Sequence, residues 1–307
     1  MEGPDRMPAI VNVNGRVVAQ EQAVISVFDH GFLYGEGVYE TLRTYNGRPF
    51  LFDRHMRRLR KSAGMLSLPV PLTDDDIEAR FHETMGAGGL RGGLGNEAYI
   101  RLMVTRGIGE LSYDPAVCPT PSVVVIVKRQ MDPPPEAFER GVRVALVSTV
   151  RNHPGSVNPL IKSNNLLNNA LAAQEAARRG GFEGVMRNYR GELAECTTSN
   201  LFVVKSGVAL TPPLEAGLLP GITREFLFEV GAERNIPVRE AVLLDEDLFG
   251  ADEAFLTSTT REIVPVVQVD EKQIGAGTPG RITLALLRAF RDKAQTLTKS
   301  QNLELKR

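Results

Sequence analysis

Lys162 is the residue whose type and setting could carry covalent chemistry. It follows the apolar stretch Pro159-Leu160-Ile161 and precedes Ser163, where an irregular strand gives way to a helix. A lysine that attacks a carbonyl group must be partly shielded from water, because shielding favours the neutral amine. The flanking residues predict such shielding. The competing interpretation is a surface lysine whose amine extends into water near a helix start.

A carboxylate in the second half of the chain also has two interpretations. Glu195 lies between a glycine turn and an apolar strand and is followed by Thr197, Thr198, Ser199 and Asn200. A carboxylate buried among hydroxyl groups needs a cation or a hydrogen-bond donor as its partner. A protonated ring nitrogen of a bound molecule would be such a partner. Alternatively, Glu195 is a solvated turn residue.

Two further sites could bind an anion. Gly221-Ile222-Thr223 follows a proline and opens a helix, and helix N-termini present unpaired N–H groups to phosphate. Arg58 lies on an earlier helix and has the planar donor fork that suits phosphate. Each also has an ordinary interpretation, namely a helix that binds nothing and an exposed arginine.

Two motifs near the C-terminus follow apolar strands. The hydroxyl groups of Ser258-Thr259-Thr260 could hold phosphate or carboxylate oxygens, or could form a simple hydroxyl-stabilised turn. The stretch Gly275–Gly280 matches G-x-G-x-x-G, but a dinucleotide site also needs a βαβ unit and an acidic residue about 20 positions later. Only 27 residues remain after Gly280, and they show no strand pattern, so we interpret the motif as a loop.

The elements that position the N-terminal candidates have clear patterns. Asn14-Gly15 and Asn46-Gly47 each separate two apolar stretches, which predicts two β-hairpins. The spacing predicts a helix over 53–65 with Asp53 as its N-cap, and Thr73 with Asp76 predicts the start of another.

A proline run predicts the division of the chain. Pro133-Pro134-Pro135 cannot continue a helix or an inner strand. We therefore predict a small N-terminal α/β domain over 1–128, an interdomain loop over 129–135 and a larger C-terminal domain over 136–307 that carries Lys162. The second domain should contain helices over about 166–179 and 281–292, followed by a frayed tail. Mixed helix and strand patterns indicate a two-domain α+β or α/β fold.

Composition narrows the function classes. The 307 residues are 42% hydrophobic and 24% charged with a net charge of −1, which gives no field favouring nucleic acid or an anionic membrane. The N-terminus lacks an apolar signal-peptide core and no apolar stretch approaches about 18 residues, so we expect a cytoplasmic protein without a membrane partner. Cys118 and Cys196 are expected to be free thiols. The scattered histidines show no metal-ligand spacing, so no metal site is expected.

Taken in order, these motifs resemble the class IV (fold type IV) aminotransferases, the family of branched-chain and D-amino-acid aminotransferases and aminodeoxychorismate lyases. The matching pieces are FDHGFLYGEGVYETLR (28–43), RHMRRLRKSAGML (54–66), YIRLMVTRG (99–107), IKSNNLLNNALAAQEA (161–176), RGELAECTTSNLF (190–202), LLPGITREFLFEV (218–230) and AFLTSTTREIVPV (254–266). Because they occur in order over nearly the whole chain, the resemblance covers both predicted domains.

The resemblance implies pyridoxal 5′-phosphate as cofactor, a D-amino-acid aminotransferase-like fold and a homodimer. It implies that Lys162 is the Schiff-base lysine and moves a proton at the substrate Cα, and that Glu195 pairs with the pyridine nitrogen of the cofactor. The cofactor-binding residues that it implies are Arg58, Lys162, Glu195, Leu166, Gly221, Ile222, Thr223, Ser258 and Thr259.

The resemblance also implies a substrate class. The implied substrate-binding residues are Tyr34, Tyr39, Tyr99, Arg101 and Thr260. The pattern Tyr99-x-Arg101 is typical of branched-chain enzymes, and the Arg-x-His pair typical of D-amino-acid enzymes is absent from the sequence after Gly107. These features favour L-branched-chain amino acids as donors and 2-oxoglutarate as acceptor.

Other positions depart from the branched-chain pattern. Leu166 stands where those enzymes usually have a tyrosine, and Ser258-Thr259-Thr260 replaces their Gly-Thr-Ala run. Tyr39-Glu40-Thr41 replaces Phe-Glu-Gly and makes the pocket more polar. The mixture is compatible with relaxed specificity and leaves D-amino-acid or (R)-amine transamination open. Glu-Cys-Thr at 195–197 resembles the lyases, and a cofactor-free binding protein on the same fold is a further alternative.

Overall fold

The structure, a computed structural model, describes residues 8–93 and 95–304. Its helices are α1 (His30–Leu33), α2 (Phe52–Met65), α3 (Asp74–Ala87), α4 (Pro135–Glu139), α5 (Leu167–Arg178), α6 (Ile222–Glu233), α7 (Asp245–Phe249) and α8 (Arg281–Glu304). Its strands are β1 (Ile10–Val13), β2 (Arg16–Ala19), β3 (Gly37–Tyr45), β4 (Arg48–Pro49), β5 (Ala98–Thr105), β6 (Ser122–Arg129), β7 (Val142–Leu146), β8 (Gly184–Arg187), β9 (Leu193–Cys196), β10 (Asn200–Lys205), β11 (Val208–Thr211), β12 (Val238–Glu240), β13 (Glu253–Ser258), β14 (Glu262–Val269) and β15 (Lys272–Gln273).

Tertiary contacts divide the chain into two compact units. The first unit comprises the described residues up to Met131, the segment Ile161–Asn165 and the end of α8 from Leu297. The second unit comprises Asp132–Leu160 and Leu166–Thr296. The change from the first unit to the second falls within the loop expected at 129–135, just before α4 begins at the third proline.

The segment that carries Lys162 differs from the expected division. The sequence assigns all of 136–307 to one C-terminal domain, whereas Ile161–Asn165 packs with the first unit. The reason is local: Ile161 packs against the first hydrophobic core, and Ser163 forms a β-bridge with Val38 on β3. Lys162 therefore belongs to the first unit by its contacts, although its neighbours in sequence belong to the second.

The sheet of the first unit has one buried face and one half-buried face. Its strands are antiparallel in the order β2-β1-β6-β5-β3-β4. On β5, Ile100 and Leu102 are fully buried, whereas Tyr99 and Arg101 alternate with them and are half-buried. Helices α2 and α3 complete the core on the buried face with Met56, Leu59, Ile77 and Phe81. The half-buried face is left for polar side chains.

The turns of the first unit follow local sequence rules. Asn14-Gly15 and Asn46-Gly47 join β1 to β2 and β3 to β4, and all four residues have positive φ angles, as a type I′ turn requires. Thr73 and Asp76 form the capping box expected at α3. The expected N-cap of α2 was wrong: Leu51 occupies that position with φ 52°, and Asp53 lies in the first turn, where its charge still favours the helix dipole.

The second unit is built on a mixed sheet. The strand order is β12-β11-β10-β13-β14-β7-β8-β9, with β15 paired to β14. The pairs β7–β8, β7–β14 and β11–β12 are parallel. Every residue of β9 is buried, and in β10 and β13 the burial is nearly continuous, as expected for strands covered on both faces. The helix expected over about 166–179 is α5.

The C-terminal tail is more regular than expected. The sequence predicts a frayed tail after Asp292, but α8 continues to Glu304. No proline or glycine occurs between Arg281 and Glu304, and both Ala294 and Thr298 are buried. Of the expected tail, residues 305–307 lie outside the described part of the chain. Among the described residues, no helix combines the length and apolar character needed to cross a membrane.

Candidate active site

Lys162 lies in an extended segment whose backbone is bound on both sides. Its amide donates to Ser62 Oγ at 3.1 Å, and its carbonyl accepts from the Tyr39 amide at 2.9 Å. Its Nζ lies 4.4 Å from the centroid of the Tyr39 ring. Within the described part of the chain, no carboxylate lies in ion-pair range of this amine. Lys162 is thus a half-buried amine against an aromatic ring, a setting suited to a nucleophile.

The same aromatic ring contacts Arg101. The Arg101 Cζ lies 4.0 Å from the Tyr39 ring centroid, and Arg101 is paired with Thr41 across β5 and β3. No carboxylate among the described side chains, those of residues 8–93 and 95–299, pairs with the Arg101 guanidinium. A guanidinium without a protein carboxylate is a binding group for the carboxylate of a small molecule. Tyr39, Arg101 and Lys162 therefore form one group on the half-buried face of the sheet.

Tyr99 and Tyr34, the other two tyrosines predicted to bind substrate, have different ring neighbours. Tyr99 precedes Arg101 by two residues on the same face of β5, and Lys128 Nζ lies 4.8 Å from its ring centroid. Tyr34 follows α1, and its described ring contacts are to His30 at 4.9 Å and Tyr113 at 5.0 Å. The structure thus groups Tyr99 with Arg101 but gives Tyr34 different ring neighbours.

Arg58 on α2 binds a buried carboxylate. Its Nε and Nη2 donate to the two oxygens of Glu40, each at 2.7 Å, and His55 Nδ1 lies 2.7 Å from Glu40 Oε2. Burial alone would raise the pKa of Glu40, but Arg58 and His55 hold that pKa well below its usual range. Burial lowers the pKa of His55, so its imidazole is neutral at pH 7. Because Glu40 is ionised and can only accept, the proton of His55 lies on Nδ1.

Glu195 on β9 is buried with a cation beside it. Arg151 Nε donates to Glu195 Oε1 at 2.7 Å, and the Leu219 amide donates to Oε2 at 3.0 Å. Arg151 is itself buried and donates from Nη1 to Asn168 Oδ1 at 3.1 Å. Asn200 Nδ2 donates to the same Oε2 at 3.5 Å. A buried carboxylate beside a guanidinium is a suitable acceptor for a protonated ring nitrogen.

The N-terminus of α6 carries no side-chain cap from the described residues. Gly221 is the N-cap residue, and the buried Ile222 and Thr223 supply the first amides of the helix. A Cβ atom at Gly221 would lie 1.9 Å from Asn200 Oδ1, so the close approach of these two residues depends on glycine. The first amides and the helix dipole together favour an anion at this end.

The N-terminus of α8 shows the opposite arrangement. The Glu253 carboxylate accepts hydrogen bonds from the amides of Ile282 and Thr283 at 3.0 and 2.8 Å. A Cβ atom at Gly280 would overlap the Glu253 side chain. The G-x-G-x-x-G stretch therefore leads into a helix end that a protein carboxylate already occupies, which agrees with its interpretation as a loop.

The turn between β13 and β14 is tied to the residues that follow Glu195. The turn residues Thr259 and Thr260 follow Ser258 and are half-buried. The next residue, Arg261, donates to the buried Glu183 and, at 3.2 Å, to Thr198 Oγ1. Glu183 also accepts from the hydroxyl groups of the 197–199 turn. One buried carboxylate thus orders both hydroxyl-rich turns of the second unit.

The sequence-predicted residues fall into two sets, one in each unit. The first unit contains Tyr34, Tyr39, Arg58, Tyr99, Arg101 and Lys162, and the second contains Leu166, Glu195, Gly221, Ile222, Thr223, Ser258, Thr259 and Thr260. Leu166 is half-buried at the N-cap of α5. The ionic roles of Glu40, His55, Arg151 and Glu183 were not predicted from the sequence. Each of these residues lies 15 to 78 positions from the charged partner it binds, and no local pattern links the two.

Both sets fit pyridoxal 5′-phosphate. The first supplies an amine without a carboxylate partner among the described residues, and the second supplies an uncapped helix N-terminus and a carboxylate paired with Arg151. The Thr257 hydroxyl, buried next to Ser258, has no hydrogen-bond partner in the described part of the chain. An amine for the aldehyde, amides and hydroxyls for the phosphate and a carboxylate for the ring nitrogen are the groups that this cofactor requires.

Comparisons with known proteins agree with this chemistry. The family described as amino-transferase class IV matches residues 37–269. A putative branched-chain-amino-acid aminotransferase of Methanocaldococcus jannaschii is 40% identical over 92% of this chain and 95% of that protein. A D-alanine aminotransferase of Listeria monocytogenes is 34% identical over 91% of this chain and 94% of that protein.

A solved structure shows the same likeness in three dimensions. The T.th. branched-chain amino acid aminotransferase in complex with N-(5′-phosphopyridoxyl)-L-glutamate superposes with a TM-score of 0.87 at 28% identity, over 95% of this chain and 96% of that chain. The matched family covers most of the chain, and the relatives are similar along nearly their whole length. This chain therefore belongs to the class IV aminotransferases, a family of enzymes that depend on pyridoxal 5′-phosphate.

Proposed function

We propose that this aminotransferase moves the amino group of L-branched-chain amino acids to 2-oxoglutarate. One observation carries the proposal: the Tyr39 ring lies beside both the Lys162 amine, at 4.4 Å, and the Arg101 guanidinium, at 4.0 Å. A carboxylate-binding cation next to the reacting amine is what an amino acid or a 2-oxo acid requires. The archaeal relative named as a branched-chain enzyme supports the donor class. The phosphopyridoxyl-glutamate bound by the T.th. enzyme supports glutamate and its 2-oxo acid as the second pair.

The first unit supplies the reacting amine. When bound, pyridoxal 5′-phosphate supplies an electron-withdrawing ring that stabilises negative charge at the substrate Cα. Lys162 Nζ is the amine that would hold the aldehyde carbon of the cofactor, and as a free amine it would accept the proton from the substrate Cα. Tyr39 shields one side of that amine from water. Arg101, with Tyr99 beside it on β5, orients a substrate carboxylate.

The second unit supplies groups for the two ends of the cofactor. Glu195 would accept a hydrogen bond from the protonated pyridine nitrogen, and the neighbouring Arg151 guanidinium favours the charged form of this carboxylate. In the second unit, the amides of Ile222 and Thr223 and hydroxyl groups, including that of Thr259, would bind a phosphate. In the first unit, the Arg58 guanidinium is also assigned to the phosphate. Other residues assigned to the cofactor are Leu166, Gly221 and Ser258, and Tyr34 and Thr260 are assigned to the substrate.

A second substrate class has its own support. Leu166 is an aliphatic residue at the N-cap of α5, and the sequence places it where branched-chain enzymes usually have a tyrosine. The relative from Listeria monocytogenes at 34% identity is a D-alanine aminotransferase. Transfer from D-amino acids or (R)-amines is therefore the alternative that the experiment must separate from the first.

We also propose that the enzyme is a cytoplasmic homodimer. The segments 24–32 and 107–113 are joined by backbone hydrogen bonds, from His30 N to Gly107 O and from Gly109 N to Phe28 O. They expose a set of large apolar side chains, here called the apolar loop surface: Val24, Ile25, Val27, Phe28, Phe32, Ile108, Leu111 and Tyr113. An apolar surface of this extent is typical of a protein interface, which supports a second copy as its partner. Two free, buried cysteines support a reducing compartment.

The first half of the reaction tests the substrate class. Enzyme loaded with cofactor is mixed separately with L-leucine, D-alanine and (R)-1-phenylethylamine, and the loss of the bound-cofactor absorbance is followed. We expect L-leucine to react at least about tenfold faster than the other two, a difference of about 1.4 kcal/mol in activation free energy. Preferred reaction with D-alanine or the amine would transfer the assignment to the alternative class.

The variant Lys162→Ala is the control for the reacting amine. We expect it to lose the absorbance of the covalently bound cofactor and to transfer no amino group at a measurable rate. Turnover like that of the wild type in this variant would contradict the role of Lys162. If none of the three donors reduces the bound-cofactor absorbance of the wild-type enzyme, the result would instead favour the lyase reaction.

A further inference from the structure

Glu40 is a fully buried carboxylate that fixes the plane of the Arg58 guanidinium. The side chain of Glu40 is 0% exposed and that of Arg58 is 8% exposed. The two hydrogen bonds from Nε and Nη2 run in parallel to the two carboxylate oxygens. Such a bidentate fork defines the orientation of the guanidinium as well as its place. It also turns the Nη1 side of the group away from Glu40.

His55 fixes Glu40 in turn. Its Nδ1 donates to the same Glu40 oxygen that accepts from Arg58 Nη2. The other ring nitrogen, Nε2, is buried and has no hydrogen-bond partner among the described residues. A neutral imidazole with one buried acceptor unsatisfied costs stability. Its one donor is used on Glu40.

Stability and charge alone do not account for this arrangement. A buried ion pair is often no more stabilising than apolar residues of the same size. A carboxylate beside Arg58 also reduces the local positive charge, which by itself weakens the attraction for an anion. The cost of burying the ion pair and the reduced positive charge both disfavour an anion-binding role for Arg58. That role is favoured only if the fixed orientation of the guanidinium adds more to the binding free energy than these two effects remove.

We propose that Glu40 and His55 are positioning residues that hold Arg58 in the orientation in which it binds the phosphate group of the cofactor. The inference rests on the proposed function, in which Arg58 is a ligand of that phosphate. Glu40 and His55 act through Arg58. An arginine that is already fixed loses little side-chain entropy when it binds an anion, whereas a free one loses most of its rotamers.

The test compares pyridoxal 5′-phosphate with pyridoxal, which carries the same aldehyde but no phosphate. Dissociation constants of both compounds are measured by absorbance titration of the full-length protein freed of cofactor. Glu40→Gln keeps the shape of the side chain and removes its charge. We expect this variant to bind pyridoxal 5′-phosphate roughly tenfold to a hundredfold more weakly and pyridoxal within about twofold of the wild type. Arg58→Gln should show the same selective loss.

Two variants of His55 test the second part of the proposal. Asparagine can place an N–H donor near the position of Nδ1, whereas leucine cannot. We expect His55→Leu to lose roughly threefold to tenfold in affinity for the phosphorylated compound alone, and His55→Asn to retain most of it. Because His55→Leu also removes an unsatisfied buried nitrogen, its thermal stability should not fall in parallel.

The matched control is Glu97→Gln. Glu97 is a carboxylate of the same unit that accepts from the Thr44 hydroxyl and from the amides of Asn46, Gly47 and Gly93. We expect its loss to leave the ratio of the two dissociation constants unchanged. A changed ratio in this control would show that any lost carboxylate of the unit has the same effect, and would overturn the proposal.

Several outcomes distinguish the proposal from its competitors. Tighter binding of pyridoxal 5′-phosphate by Glu40→Gln would mean that Glu40 merely competes with the phosphate for Arg58, and equal weakening of both compounds would mean a purely structural role. Either result overturns the proposal. If Arg58→Gln shows no selective loss, the error lies earlier, in the assignment of Arg58 to the phosphate. Should Glu40→Gln fail to fold, the contrast between His55→Leu and His55→Asn decides.

Discussion

Charged side chains in this protein act in pairs whose members are far apart in the sequence. Arg151 and Glu195 are separated by 44 positions, yet both are buried and joined by a hydrogen bond of 2.7 Å. The pairing has a chemical consequence, because a carboxylate that stays charged in a buried place can hold a proton on a neighbouring ring nitrogen. If Glu195 pairs with the ring nitrogen as proposed, the electron-withdrawing power of the cofactor ring depends on Arg151 as well as on Glu195.

We expect Glu195→Gln to retain the cofactor but to slow removal of the substrate Cα proton by roughly a hundredfold, because the ring nitrogen loses its charged partner. Arg151→Gln should slow the same step by roughly tenfold, the usual scale for a lost charge-assisted hydrogen bond. Stopped-flow measurement of the first half of the reaction gives both rates.

The control for these two variants is Arg234→Gln, which breaks an exposed pair with Asp292. Its half-reaction rate should equal that of the wild type, since exposed pairs contribute little. A rate for Arg151→Gln that matches the control would show that Glu195 needs no cation.

At the residue scale, the sequence predicts reactive groups better than their partners. Lys162 and Glu195 stand in local motifs whose flanking residues indicate burial, so their chemistry can be inferred from the sequence alone. The flanking residues of Arg151, Glu40 and Glu183 do not indicate which charged group each of them binds. Their importance comes from long-range contacts that only the folded chain defines.

The N-termini of two helices in the second unit, α6 and α8, differ in their ability to bind an anion although both follow a glycine. Both α6 and α8 begin after a glycine. The Glu253 carboxylate accepts hydrogen bonds from the first amides of α8, whereas no described side chain caps α6. The anion-binding capacity of a helix end therefore depends on what the neighbouring strand presents to it, and the glycine itself does not decide it.

We expect Gly221→Ala to weaken binding of pyridoxal 5′-phosphate by roughly tenfold. The new Cβ atom would lie 1.9 Å from Asn200 Oδ1, and Asn200 is buried and bound to the Leu219 carbonyl, so it cannot move without cost. The free energy of unfolding should fall by about 1–3 kcal/mol, as for other overpacked sites. Cofactor titration and urea unfolding measure the two effects.

Gly86→Ala on α3 is the matched control. A Cβ atom there meets nothing within 4 Å, so the substitution should leave cofactor binding unchanged and raise stability by up to about 1 kcal/mol through helix propensity. If Gly221→Ala also left cofactor affinity unchanged and did not lower the free energy of unfolding, the close contact with Asn200 would matter for neither.

At the element scale, the success of prediction depends on whether the signal is local. The Asn-Gly turns at 14–15 and 46–47 and the Thr73 capping box were confirmed because a few adjacent residues determine them. The prediction of a frayed tail was wrong because α8 contains no helix-breaking residue before Glu304. The polar composition of the tail had suggested that the helix ends earlier. The Lys162 segment pairs with β3, more than 120 positions earlier in the chain, so no local pattern could reveal it.

At the scale of the whole molecule, the apolar loop surface is the feature that supports the proposed dimer. Its members are between 50% and 83% exposed in the isolated chain. Each large apolar side chain left in water forfeits about 1.5–3 kcal/mol that burial would provide. Association of two copies through this surface would recover part of that free energy.

We expect the wild-type protein to sediment at twice the mass of its 33.6 kDa chain. The double variant Phe32→Asp with Leu111→Asp should sediment as a monomer at micromolar concentration, because two carboxylates per copy would be placed in an apolar interface. Analytical ultracentrifugation measures both masses. Val242→Asp, which alters a 57% exposed side chain of the second unit, is the control and should remain a dimer. Persistence of the dimer in the double variant would exclude this surface as the interface.

The anchored backbone of Lys162 has a consequence for the timing of catalysis. The amide and carbonyl of this residue are both engaged, so the amine can change place only by rotation about the bonds of its own flexible stem. Rotamer changes of exposed side chains take place within roughly picoseconds to nanoseconds, whereas enzymes turn over typically about 1 to 1,000 times per second. With the role proposed for Lys162, rotation of its stem is too fast to limit turnover. We therefore expect a slower step, such as proton transfer or departure of the product, to set the overall rate.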